Sequence, residues 1–379
     1  MANLILAKRD PYLDYLRGIA IIWVVLVHVF YHKQFIPPGS LGEAFRAVML
    51  FEMPLLFFVS GASLYHAHYR WLSIRAFLIR RLRRLISPYL FLAVACSGLF
   101  YLKGWMAGSP LSLNQMASWL LLEPWPVVPV YVGFSMWFVR VMLAVTLLHP
   151  ILIRLFLSDS YRMATAILLV VAVVAFTPFE RPMFYNAVPW HQLPQYTVFY
   201  GAFVYLGYYY ADGRLLVGAP QLALLLGASV AVLAVLAGHG FVYADAQLNK
   251  FPPNVGYGLL GVAWLAFWLL LRPMLLLAAG LKWFGGSLRF FSGHSYTVFL
   301  YHGFGFAMAD FVFSRLFHFF SVLLGGAHYS VSILVYFFLV LVLTTVVVVT
   351  VDRMQAMLSR VRRFAAPFRS RRAAESNIS

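Results

Sequence analysis

The chain has 379 residues, 63% of them hydrophobic and 11% charged. A soluble domain is about half apolar and a quarter charged, so a water-soluble globule is excluded, because it could not cover its surface with polar groups. The formal charge of +17 gathers at the ends of apolar runs, a membrane-topology pattern and not a nucleic-acid-binding one.

Apolar stretches of about twenty residues fall at roughly 12–32, 46–66, 85–107, 132–156, 163–178, 197–211, 219–238, 255–271, 290–310 and 331–351. The expected fold is therefore all-α, a polytopic bundle of about ten transmembrane helices. With the N-terminus in the cytosol, twenty-one Lys and Arg residues lie on the cytosolic side and seven on the outer side, Arg17 being inside the first span. That bias favours an even number of spans with both termini cytosolic. The domain expectation is a cytosolic N-terminus (1–10), a transmembrane domain (11–351) and a basic cytosolic tail (352–379). The tail reads as a topology anchor for anionic lipid, either a surface helix or disordered. The first apolar run, Ile19 to Tyr31, has no small-residue cleavage site after it and reads as an uncleaved helix. The single cysteine, Cys96, cannot form an intrachain disulfide.

Ionisable residues inside a span cost on the order of 2.5–3.5 kcal/mol at its centre, which makes them functional candidates. The first span carries Asp14, Arg17 and His28. Arg17 and His28 are eleven positions apart, about 1100° of helical rotation and about 16 Å of rise, so they share one face. Asp14 lies one turn before Arg17 on nearly the same stripe. Histidine takes and returns a proton near neutral pH; arginine suits phosphate or a carbonyl acquiring negative charge. The bland alternative is an interfacial Asp14–Arg17 pair with His28 at the outer headgroups.

Arg80, Arg81, Arg83 and Arg84 enter the third span. They read either as a positive-inside anchor or as a phosphate-binding rim. On the outer side lie Glu52, Trp137, Arg140 and His302, with His191 in a loop. Trp137 fits an ordinary interfacial tryptophan belt, and Ser60-Gly61 fits small-residue helix packing. There is no Walker loop, dinucleotide-binding glycine pattern, zincin helix or serine nucleophile elbow. No carboxylate–histidine grouping has metal spacing.

Several segments together resemble the acyltransferase 3 family of integral membrane proteins. They are Leu13-Asp14-Tyr15-Leu16-Arg17-Gly18 with ten residues between the arginine and His28, Met53-Pro54-Leu55-Leu56-Phe57-Phe58-Val59-Ser60-Gly61, and Arg80 to Pro88. Trp137-Phe138, Lys250-Phe251-Pro252-Pro253 and Ser295-Tyr296 with Leu300-Tyr301-His302 follow in order. The resemblance implies a ten-helix core in the cytoplasmic membrane that moves an acetyl or other short acyl group from acyl-CoA to a hydroxyl of a sugar, glycan or glycolipid. His28 is then expected as general base, Arg17 and Asp14 as its catalytic companions, and Arg80, Arg81, Arg83 and Arg84 as the rim for the coenzyme phosphates. Glu52, Trp137, Arg140 and His302 are expected on the acceptor side. Acyl-CoA, the carbohydrate or glycolipid acceptor and membrane lipid are the expected partners, with no metal and no nucleic acid. The rival reading is a multi-pass transporter or flippase, whose mark is paired broken helices in two related halves.

Overall fold

The computed structural model describes residues 10–32, 48–66, 73–106, 108, 112–120, 122, 136–156, 190–213, 215, 217–240, 249–324 and 328–375. Among these the chain is all-helical, with twelve α-helices and one short 3-10 turn. They are α1 (Pro11–His32), α2 (Glu52–His66), α3 (Ile74–Met106), α4 (Leu113–Leu120), α5 (Met136–Phe156) and α6 (Leu193–Ala211). After these come α7 (Ala219–Gly238), α8 (Val255–Leu270), α9 (Arg272–Ala278), α10 (Lys282–Gly293), α11 (Ser295–Leu324) and α12 (His328–Glu375).

Among the described residues four helical stretches are long and apolar enough to cross a membrane: Pro11–Phe30, Ile74–Met106, Ala219–Gly238 and Val331–Met357. The bent pair α8 and α9, turned by 59° at Leu271, makes a fifth if it counts as one span. The expected span at 163–178 lies outside the described residues.

Helix boundaries follow local chemistry. Asp10 caps α1, its side chain accepting the backbone N–H of Tyr12 at 3.0 Å; a short acceptor there satisfies an otherwise orphaned donor. Asn254 caps α8 in the same way, accepting from Tyr257 N–H at 3.1 Å. The bend between α8 and α9 comes just before Pro273, which lacks the N–H needed to continue the ladder and crowds the preceding turn. Helix α3 begins well before the expected 85–107 span, so the four arginines sit on the span's own helix. The expected 290–310 span crosses a break at His294 between α10 and α11.

Small residues let the inner helices meet closely. A Cβ on Gly61 would fall on the backbone carbonyl of Val204, and one on Gly207 would fall on the carbonyl of Phe58. Helices α2 and α6 thus cross backbone to backbone, the device by which membrane helices pack without a hydrophobic driving force. The reading of Ser60-Gly61 as packing holds, and the Ser60 hydroxyl donates to the Leu56 carbonyl at 2.7 Å. Gly18 on α1 meets the Leu288 carbonyl of α10, and Gly305 on α11 meets Thr344 of α12. At one end of the bundle Arg272 pairs with Asp10 at 3.1 Å and donates to the Tyr210 hydroxyl at 3.0 Å. That arginine ties the starts of α1 and α9 to the end of α6.

Candidate active site

Helix α1 carries the three residues that the span pattern singles out, and its 22 residues run without interruption. The expected rotational alignment of Arg17 and His28 therefore stands. Asp14 lies in the first turn and is half-buried. Arg17 is half-buried and donates to the Val59 carbonyl of α2 at 2.9 Å. That carbonyl also accepts from the Ser63 hydroxyl at 2.9 Å. The guanidinium is held inside the bundle by helix backbone.

His28 turns into the bundle as well. Its ring lies against His302 of α11, with centroids 4.9 Å apart and planes 23° from parallel. Nε2 of His302 stands 3.2 Å from Nδ1 of His28. The Phe306 ring meets His28 edge-on at 6.3 Å. On its other side His302 places Nδ1 2.7 Å from the carbonyl oxygen of Phe299, one helical turn back. His302 is 1% exposed. The sequence placed both histidines toward the outer half of the molecule; the structure makes them direct neighbours.

The arginine cluster divides. Arg80, Arg83 and Arg84 are exposed, and Arg81 is 8% exposed. A helix cannot present four positions within one and a half turns to one side. Three of these cations face outward and the fourth faces the bundle, within electrostatic reach of Tyr296 and His149.

Glu52 opens α2 and is 2% exposed. It pairs with Lys250 at 2.5 Å, and the lysine is buried too. Two buried opposite charges offset each other's desolvation, which neither could do alone. The lysine ammonium lies 6.0 Å from the Trp137 ring and 5.4 Å from the Phe251 ring. Trp137 is 5% exposed, so it is no interfacial belt residue. It packs against Tyr200 and Phe251, with centroids at 5.4 and 5.6 Å. Around this pair the Tyr196 hydroxyl and the second Glu52 oxygen are buried with no hydrogen-bond partner among the described residues. Arg140 is buried and donates through Nε to the Leu122 carbonyl. His191 is exposed. Lys250 as the counter-charge to Glu52 is the residue that sequence reasoning missed. The available signal was a lone lysine beside Phe251-Pro252-Pro253, on the same side as an equally isolated Glu52.

The ionisable groups gathered inside the bundle are thus a histidine pair from α1 and α11, Arg17 about three turns earlier on α1 and a buried ion pair ringed by aromatics. A family model described as an acyltransferase domain, that of the acyltransferase 3 family, matches residues 10–353, nearly the whole chain, and the protein belongs to that family. No curated protein and no solved structure matches it.

Proposed function

We propose that the protein is a ten-span transferase of the cytoplasmic membrane, both termini cytosolic, that moves an acetyl or other short acyl group from acyl-CoA to a hydroxyl of a sugar, glycan or glycolipid. The observation that carries this reading is the inward-facing His28 imidazole on α1, in contact with His302 and on the same helix face as Arg17. A histidine in lipid has no use for a ring turned into the bundle against a second imidazole, whereas a general base has.

In this mechanism the coenzyme phosphates rest on the exposed Arg80, Arg83 and Arg84, with Arg81 behind them. The thioester reaches toward the membrane interior along α1. Arg17, with Asp14 one turn away, orients the donor where its arm passes along α1, about 16 Å from His28. The acceptor approaches from the outer side, past Glu52, Trp137, Arg140 and His302. His28 takes the proton of the acceptor hydroxyl as its oxygen attacks the thioester carbonyl. The C–S bond breaks, an ester forms, and the departing thiolate of the coenzyme receives the proton from His28.

The test uses purified full-length protein, labelled acetyl-CoA and mass spectrometry of cell-surface glycans and glycolipids. His28→Ala and Arg17→Ala are each expected to abolish transfer while the protein remains membrane-inserted. Product at wild-type level in both variants overturns the assignment.

A further inference from the structure

We infer that His302 is a positioning residue that fixes the tautomer of His28, so that Nε2 of His28 carries the basic lone pair. The inference rests on the reading of His28 as the base and adds which of its two nitrogens does the work and what holds it so.

The argument is one of proton bookkeeping along three groups. The Phe299 carbonyl oxygen can only accept. It lies 2.7 Å from Nδ1 of His302, so that nitrogen carries a hydrogen. The next link joins Nε2 of His302 to Nδ1 of His28 at 3.2 Å, and a nitrogen–nitrogen bond of this kind holds one proton. If that proton sat on His302, the ring would be an imidazolium. It is 1% exposed and packed against Phe299 and Phe306, with no carboxylate paired to it among the described residues. The backbone carbonyls of Phe299 and Val298 that face it do not offset the desolvation of a full charge. The proton therefore belongs to His28 Nδ1, and a neutral ring protonated at Nδ1 has its lone pair at Nε2.

The arrangement does for His28 what a carboxylate does for the histidine of a hydrolase triad: it selects the tautomer and the ring orientation. It does so without adding a charge to the apolar interior. When Nε2 of His28 takes the acceptor's proton, the imidazolium stays hydrogen-bonded through Nδ1–H to the His302 ring. The proton later leaves from Nε2 to the thiolate, and His302 ends as it began.

Full-length protein labelled with 15N-histidine in lipid nanodiscs tests this directly. The two rings are assigned by the signals lost in His28→Gln and His302→Gln. The expected spectrum has a protonated Nδ1 and a lone-pair Nε2 on both rings; a lone-pair Nδ1 on His28 overturns the inference whatever the activity. In His302→Leu, His28 is expected to drift toward the Nε2–H tautomer, and turnover to fall about 100-fold, within the range of general-base catalysis, with the KM for the acyl donor unchanged. His302→Gln, whose amide oxygen can accept the Nδ1–H, is expected to keep the tautomer and regain most of the turnover. Equal losses in the Leu and Gln variants with an unaltered His28 spectrum assign His302 to packing and also overturn it. Failure of the base reading looks different: His28→Ala then transfers at wild-type rate, while the wild-type nitrogen spectrum stays as expected.

Discussion

Glu52 and Lys250 show what a charge requires inside this bundle. Each is nearly inaccessible to water, and each is tolerated because the other is there. Removing one partner of a buried pair strands the other and costs about 3–5 kcal/mol, whereas replacing both with apolar or neutral groups is often harmless to stability. Glu52→Gln and Lys250→Met are each expected to lower the thermal unfolding midpoint in detergent sharply. The double variant is expected to recover most of the loss. The arginines divide by a similar logic. Arg80→Ala and Arg83→Ala, at exposed positions, are expected to raise the KM for acyl-CoA several-fold, more at low salt than at high, because exposed charges are screened within about 10 Å at 0.1 M ionic strength. Arg81→Ala, at a buried position, is expected to lower the unfolding midpoint instead. At this scale the sequence was legible for residues whose expense in lipid betrays them, as with Arg17 and His28. It was silent on partnerships, because Glu52 and Lys250 lie 198 positions apart and residue types alone do not say which distant helices meet. The ring contacts of Trp137 were hidden for a related reason: a tryptophan at a span end looks the same in sequence whether it faces headgroups or other rings.

Between elements, the tightest constraint is the crossing of α2 and α6, where Gly61 and Gly207 each face the other helix's backbone. Backbone has no rotamer to escape into. Gly207→Leu is expected to force the helices apart and to destabilise by at least the roughly 1–3 kcal/mol of an overpacked core. Gly227→Ala on α7, where an added Cβ meets nothing within 4 Å, is expected to leave stability within about 0.5 kcal/mol of wild type, as surface changes usually do. Thermal unfolding of both variants side by side checks the contrast. The element boundaries that hydropathy found are those where apolarity and helicity end together, as at α7, which coincides with the expected 219–238. It missed the start of α3 because arginine is a good helix former, so the helix continues where apolarity stops. It missed the break at His294 for the opposite reason, since apolar residues continue on both sides of an interrupted helix.

For the whole molecule, the charge bias makes a prediction about sidedness. A green fluorescent reporter fused after residue 379 is expected to fluoresce, and an alkaline phosphatase fused there is expected to be inactive; the reverse pair of results places the tail outside. The class of protein, an all-helical membrane acyltransferase, was legible from composition and from the motif order along the chain. The three-dimensional centre was only half legible, since the sequence displays what one helix carries and conceals what is brought to it. The contact between His28 and His302 joins rings 274 residues apart. A ribosome adding about 5–20 residues per second therefore delivers the second ring on the order of tens of seconds after the first has entered the bilayer. Until then the nascent chain holds one ring of the pair in the bilayer without the other.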